Sequence, residues 1–248
     1  MLTKSRTTRK LAGMFLALVL LGTMIVPAMA YSTSSRTTRT VYGVEYTYYS
    51  TIDVSSNNYI DGGVVVAVDQ TVDEGYIGAK KRLYTSDGAL AKADDWTYNT
   101  RSVSTNIGFH FFLTPTSGEY YYSKGQVQLY NGDGYTTYTC TATPNISVNT
   151  RSAVAADIAV NQNGEIYGSE LFLEQVGIEP DLILAIGEND VVGYVRAADL
   201  DGVAATSPDS VAEYMSNVQA EREIPLYAED GLTVLGTFTV GNSTSWSE

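Results

Sequence analysis

The chain has 248 residues, with 15 Lys and Arg against 28 Asp and Glu, a formal net charge of −13 and 44% hydrophobic residues. This apolar content is enough for a packed core, whereas the negative charge repels phosphate backbones and excludes nucleic acid as a favoured partner. The single cysteine, Cys140, excludes an intramolecular disulfide.

The first thirty residues have the pattern of a secretory signal peptide. A basic start over residues 4–10 is followed by an apolar run over 11–26 and small residues at 27–30. The apolar run is shorter than the roughly 20 residues that a membrane-spanning helix needs. We therefore expect cleavage after Ala30 and a secreted, extracellular product with no membrane span. A retained N-terminal anchor is the alternative.

The charge beyond residue 30 is uneven. Four of the basic residues and none of the acidic ones lie in 1–30, so the rest of the chain has a net charge of −17, with −3 in residues 31–150 and −14 in residues 151–248. Export without a pair of cysteines is typical of bacterial proteins, and we expect a Gram-positive source. The change of composition predicts a Tyr/Thr-rich β-sandwich domain over 31–150 and an acidic α+β module over 151–248.

Residues 31–150 hold 15 of the 19 tyrosines and contain no helix-length amphipathic run. These properties predict all-β structure. Turn signals divide the region into about seven strands, which favours an antiparallel β-sandwich, with a β-barrel as the nearest alternative. The predicted strands are 41–54, 64–72, 75–85, 94–99, 104–113, 119–130 and 135–142.

One predicted strand carries tyrosines and basic residues on the same face. In residues 75–85 the apolar side chains share one face, and the alternation of a strand puts two tyrosines and two basic residues on the other. Ring faces and positive charge together can hold a sugar or an anionic polymer. The alternative is a solvated sheet face, on which these side chains only stabilise cross-strand pairs. The candidate ligand-binding residues are Tyr76, Lys80, Arg82 and Tyr84.

Residues 151–248 mix strands with one helix. Ser207 as the N-cap, Pro208 at the first helical position and Asp209 in the first turn predict a helix that runs to about Glu221. The turn residues at 229–231 predict a hairpin close to the C-terminal end. The predicted strands are 156–160, 165–169, 181–186, 191–195, 223–227 and 232–240.

No residue pattern in the sequence names an activity. A Cys/His or Ser-His-Asp site would have to use His110, the one histidine, which lies in an aromatic strand, and Cys140 lacks a helix N-terminus that would lower its pKa. The acidic turns at 161–165 and 199–202 lack the ligand spacing of a calcium loop and are interpreted as solvated turns. We expect no catalytic residue, metal or cofactor. A two-carboxylate glycosidase stays open, because the geometry of a carboxylate pair is not visible in a sequence.

Turn and strand residues carry a family resemblance at 75–79, 82–84, 118–125, 130–135, 163–164, 167–169, 179–183, 193–196 and 199–200. These residues resemble small secreted β-rich proteins of Gram-positive bacteria that have an acidic C-terminal module. The resemblance implies export and an envelope or extracellular setting, and it implies no activity. The run Gly193-Tyr-Val-Arg-Ala-Ala-Asp-Leu200 also resembles the closing strand of bacterial SH3-like wall-binding domains.

Together these patterns predict a secreted, non-catalytic binding protein that acts at or near the bacterial cell envelope. Its expected partner is a cell-wall polymer or another envelope component. Two alternatives belong to other classes of protein. One is a carboxylate-dependent hydrolase of wall or host glycans, and the other is a secreted antimicrobial or toxin.

Overall fold

A computed structural model describes residues 31–54, 59–116, 118–147, 159–171, 179–242 and 246–247. The fold is mainly β, with 52% strand and 10% helix, which confirms the predicted fold class. The predicted signal peptide lies outside the described residues, as does the start of the strand expected at 156. Within the described ranges, no helix is both long enough and apolar enough to cross a membrane.

The described residues form twenty strands and two α-helices. The helices α1 and α2 are Ala197–Asp201 and Pro208–Asn217. The strands β1 to β20 are, in order, Ser32–Thr33, Thr37–Val41, Val44–Val54, Ile60–Val68, Ile77–Lys80, Arg82–Thr85, Leu90–Asp94, Thr97–Tyr98, Asn106–Leu113, Tyr120–Ser123, Gln126–Tyr130, Tyr135–Thr139, Ile146–Ser147, Ala159–Val160, Ile166–Gly168, Leu182–Ile186, Val192–Arg196, Glu221–Tyr227, Val234–Gly241 and Trp246–Ser247.

Two of the three sheets share one apolar core. The six-stranded sheet has the order β1–β3–β4–β9–β20, with β2 paired to β3, and the four-stranded sheet has the order β12–β11–β5–β8. Full burial of each large apolar side chain between such layers stabilises the fold by about 1.5–3 kcal/mol. The fully buried residues of this core include Tyr46, Val64 and Phe109 from the first sheet and Ile77 and Val127 from the second.

The third sheet contains a closed ring of five strands. Its order is β13–β10–β6–β7–β19–β18–β17–β16–β15–β14, and β16 also pairs with β7. Strands β7, β19, β18, β17 and β16 therefore follow one another around a small barrel. Strand β7 precedes residue 150, and the other four strands follow it. The division into two domains at residue 150 stays a prediction. The buried interior includes Leu90, Ile183, Val195, Leu226 and Phe238.

Two of the predicted strands are interrupted in the structure. The run over 41–54 contains a two-residue turn at Tyr42 and Gly43, which joins β2 to β3 as a hairpin. The run over 75–85 breaks at Lys81, because β5 belongs to the four-stranded sheet and β6 to the ten-stranded sheet. The chain therefore passes from one sheet to the other at this residue.

The predicted helix is present and shorter than expected. Helix α2 begins at Pro208, and the backbone N–H of its N-cap, Ser207, donates to Ser210 Oγ at 3.1 Å. It ends at Asn217, because Val218 has the extended dihedral angles φ −66° and ψ 132°. Helix α1 is one turn long and follows β17 directly.

Candidate functional site

Three of the four predicted ligand-binding residues lie in the interior. Lys80, Arg82 and Tyr84 are 1%, 3% and 1% exposed, whereas Tyr76 is half-buried and reaches the surface. The alternation expected of a single strand fails because the chain changes sheets at Lys81, and the residues on both sides of the break turn inward. The exposed face predicted at these positions is therefore corrected, while a role of the four residues in ligand binding stays a prediction.

The buried lysines are held by acceptors inside the protein. Lys80 Nζ donates to the carbonyl oxygens of Leu200 and Asp201 at 2.8 and 3.0 Å. Lys81 Nζ lies 3.1 Å from Asp94 Oδ2, and both of these side chains are within 1% of complete burial. Burial lowers the pKa of Lys80 to about 8, and it also lowers the pKa of Lys81 against the opposing charge of Asp94. The Lys80 amine therefore joins β5 to the end of helix α1, and the Lys81 amine joins the step between β5 and β6 to β7.

Two further buried cations pair with glutamates. Arg82 Nη1 lies 3.2 Å from Glu179 Oε1, and Lys124 Nζ lies 3.0 Å from Glu170 Oε1. Burial raises the pKa of Glu170 against the opposing charge of Lys124. A raised carboxyl pKa is a property of general acids, but Glu170 is 2% exposed and offers almost no surface to a substrate. The arrangement is that of a structural ion-pair network.

Four tyrosines form a continuous set of edge-on and tilted ring contacts where two hairpin turns meet. The ring centroid of Tyr130 lies 4.7 Å from that of Tyr76, 5.4 Å from that of Tyr42 and 6.3 Å from that of Tyr135. Tyr42 is 62% exposed, and the other three rings are half-buried. We call this set, Tyr42, Tyr76, Tyr130 and Tyr135, the tyrosine platform. It retains one of the residues predicted from the sequence, Tyr76.

Backbone conformation at the two turns brings the rings together. Tyr42 has φ +49°, in the left-handed region, and with Gly43 forms the turn between β2 and β3. Residues 131–134 form the turn between β11 and β12, in which Gly132 has φ +100°. A Cβ atom on Gly132 would lie 2.7 Å from the Tyr42 ring. The missing side chain therefore allows the Tyr42 ring to pack on the second turn.

Hydrogen bonds fix two rings of the platform. The Tyr130 hydroxyl donates to the carbonyl oxygen of Gly132 at 3.0 Å, and the Tyr135 hydroxyl donates to that of Gly75 at 2.5 Å. Burial raises the pKa of Tyr135, so this hydroxyl stays protonated as a donor. Rings held in this way lose little conformational freedom when a ligand stacks on them. The positions of these two rings are therefore set within the protein.

The ring contacts continue inward from the platform to a cavity. The Tyr135 ring lies 5.4 Å from Tyr98, and the Tyr98 ring lies 5.6 Å from Tyr214. Tyr214 lines a cavity of about 620 Å³ between α2 and the loop that precedes it. Its wall includes the ion pair of Arg222 Nε and Asp95 Oδ2 at 2.8 Å. The charges of Arg222 and Asp95 therefore compensate one another in this wall.

The sequence analysis identified one of the four platform residues, Tyr76. The sequence contains turn signals next to the other three. Asn131-Gly-Asp-Gly134 is a strong turn signal, and it places Tyr130 and Tyr135 at the ends of a hairpin. Tyr42-Gly43 is a weaker signal, because tyrosine is uncommon at a left-handed position. Nothing in the sequence shows that the two turns meet.

The remaining candidate groups are the thiol of Cys140 and the imidazole of His110. Cys140 is 2% exposed, and burial raises the pKa of its thiol to about 12. His110 Nδ1 lies 3.2 Å from Asp61 Oδ1. The described residues contain no group of three or more His, Cys, Asp or Glu that could hold a metal ion. Comparison with protein-family models, curated proteins and solved structures found no match.

Proposed function

We propose that this chain is a secreted, non-catalytic binding protein that acts at or near the bacterial cell envelope and holds an envelope glycan on the tyrosine platform. The observation that carries the proposal is the cluster of four rings with neighbouring centroids 4.7–6.3 Å apart. Aromatic faces stack on the apolar faces of sugar rings, and neighbouring polar groups bind their hydroxyls. Asn131 and Asp133 are exposed beside the rings and supply such groups.

The backbone at Tyr42 supports a binding role. Two-residue hairpin turns with positive φ favour Asn and Gly, and a bulky side chain in this conformation is unfavourable. Strain of this kind is found where a side chain is needed for function. At Tyr42 it places a ring that is 62% exposed against the Gly132 turn, in line with Tyr130.

The setting at the envelope has two supports of its own. The signal-like pattern of residues 1–30 supports export. The five-stranded barrel includes β17. This strand and the helix α1 that follows it contain the run over 193–200, which resembles the closing strand of SH3-like wall-binding domains. A platform and a barrel of this kind on one chain suit a protein that attaches to the wall.

Pelleting with isolated Gram-positive cell walls tests the proposal. Residues 31–248, which contain every described element, are expected to pellet with the walls, and Tyr42→Ala/Tyr76→Ala is expected to weaken binding by about 10-fold or more, because two stacking surfaces are lost. Tyr31→Ala is the matched control, since Tyr31 is 58% exposed and precedes β1, which pairs with residues 51–52 near the other end of β3. Unchanged pelleting of the double variant would overturn the proposal.

A further inference from the structure

Acidic side chains surround the tyrosine platform. The carbonyl oxygen of Asp73 accepts a hydrogen bond from the backbone N–H of Tyr76 at 3.3 Å. Gly75 packs so closely on Pro208 that a Cβ there would lie 2.9 Å from Pro208 Cα, which brings the next residue, Asp209, to the same place. Burial raises the pKa of Tyr76, and the negative charges of Asp73 and Asp209 raise it further.

Negative charge also lies on the other side of the platform. Asp69 Oδ1 accepts a hydrogen bond from the backbone N–H of Glu45 at 2.9 Å, close to the Tyr42 turn. Asp133 lies in the turn on which Tyr42 packs, and its backbone N–H donates to Asn131 Oδ1 at 3.0 Å. Both aspartates are exposed, as are Asp73 and Asp209. Four carboxylates therefore face solvent around the rings.

Most of the basic side chains are engaged elsewhere in the described structure. Arg101 is exposed on the loop after β8, where the Asn99 amide donates to the carbonyl oxygens of both Asp73 and Arg101 at 2.8 Å. Four aspartates outnumber this arginine. Six other basic side chains form ion pairs with carboxylates away from the platform, and these are Lys80, Lys81, Arg82, Lys124, Arg196 and Arg222.

We infer that the ligand of the tyrosine platform is a glycan with free, positively charged amino groups, an inference that rests on the proposed function. The electron-rich faces of the rings attract ammonium groups. The surrounding carboxylates add a Coulombic attraction that salt weakens. The same carboxylates would repel an anionic wall polymer. N-acetylation of the amino group removes the positive charge and leaves the sugar ring unchanged. A comparison of the two forms therefore separates the contribution of ring stacking from that of charge recognition.

The experiment compares two oligosaccharides of equal length by isothermal titration calorimetry with residues 31–248. One is a glucosamine hexasaccharide, and the other is its fully N-acetylated form. The titration is carried out at about pH 5.5, where the amines of the free-amine form are protonated. The free-amine form is expected to bind about 10-fold more tightly, and this preference is expected to shrink as salt rises.

Variants assign the preference to the platform. Asp73→Asn/Asp209→Asn is expected to lower affinity for the free-amine form several-fold and to leave the N-acetylated form unchanged. Glu119→Gln/Asp190→Asn removes the same charge at exposed positions elsewhere and is expected to change neither affinity. Equal or tighter binding of the N-acetylated form, lost in Tyr42→Ala/Tyr76→Ala, would overturn the charge inference and leave the proposed function intact. If neither form binds and isolated walls are not pelleted, both fail.

Discussion

Tyr42 combines an unfavourable backbone conformation with an exposed aromatic ring that packs on a neighbour. Its φ of +49° lies in the left-handed region, which is favourable for Asn and Gly. The ring contacts Tyr130 edge-on at a centroid distance of 5.4 Å. A left-handed backbone destabilises the folded state by about 1–2 kcal/mol for an ordinary residue, and an aromatic pair stabilises it by about 0.5–1.5 kcal/mol. The two effects nearly cancel, so stability alone gives little reason for a tyrosine here.

We therefore expect Tyr42→Asn to leave the free energy of unfolding within about 1 kcal/mol of the wild type while it weakens binding to cell walls. Tyr42→Val is expected to lose stability relative to Tyr42→Asn, because a β-branched side chain is poorly tolerated in the left-handed region. Urea unfolding measures the first effect and pelleting the second. Wild-type pelleting by Tyr42→Asn would contradict a binding role for this ring.

Lys80 makes stability depend on pH. Burial lowers its pKa from 10.5 to about 8 in the folded chain. Between these values the unfolded chain binds more protons than the folded chain, so the contribution of Lys80 to the free energy of unfolding rises with pH. The stability of the wild type relative to Lys80→Gln is expected to increase by at most about 3 kcal/mol from pH 8 to pH 10.5.

Urea unfolding at several pH values checks this expectation. Lys92→Gln is a matched control, because Lys92 lies in β7, outside the four-stranded sheet that contains Lys80, and its side chain is half-exposed. The quantity compared is the free energy of unfolding of the wild type minus that of the variant. The titration of the tyrosines is common to both proteins and cancels in this difference. A difference that is flat or falls with pH would show that the Lys80 amine is not buried in solution.

At the scale of elements, the most informative feature is the step from β5 to β6. Three consecutive basic residues, Lys80 to Arg82, are buried where the chain leaves one sheet and enters another. Removal of a charge from water costs several kcal/mol unless a partner compensates for it. The step is therefore possible because carboxylates from distant parts of the chain are in place, among them Asp94 on β7.

Loss of one partner at this step should cost more than loss of both. Lys81→Met is expected to lower the free energy of unfolding by about 3–5 kcal/mol, because Asp94 is left buried without its cation. Lys81→Met/Asp94→Leu is expected to recover a large part of that loss, since apolar groups need no partner. A double-mutant cycle from urea unfolding measures the coupling. Additive losses from the two single substitutions would rule out the coupling.

At the scale of the whole molecule, the barrel depends on a strand from the first half of the chain. Strand β7 pairs with β19 through Ala93 and Val240 and with β16 through Leu90 and Ala185. Without β7, the interior of the barrel would lose one wall, and β16 and β19 would be left with exposed edges. The composition boundary near residue 150 therefore does not coincide with a gap between sheets.

We expect residues 151–248 alone to lack a cooperative unfolding transition, because β7 is missing from that fragment. Residues 31–248 are expected to unfold cooperatively. Thermal unfolding followed by circular dichroism in the far and near ultraviolet compares the two. A cooperative transition in the isolated fragment would support an independent second domain and contradict the dependence of the barrel on β7.

Local patterns in the sequence predicted elements well where the cause is local. Ser207, Pro208 and Asp209 predict the start of α2, since capping involves neighbouring residues. Alternation in Gln126–Tyr130 predicts which side chains of β11 are buried, and Val127 and Leu129 are both fully buried. The exposure predicted at Lys80, Arg82 and Tyr84 was wrong, because their burial depends on partners and layers that are far away in the sequence.

The mainly β fold, the turn residues and the start of the main helix were predictable from the sequence, because each follows from the propensities of adjacent residues. Which strands share a sheet, where β7 closes the barrel and which tyrosines meet at the surface became visible in the three-dimensional structure. Those outcomes depend on contacts between distant segments, such as the packing of Tyr42 on Gly132, which no local pattern contains. The candidate binding surface is of this second kind, since it exists only where two separate turns come together.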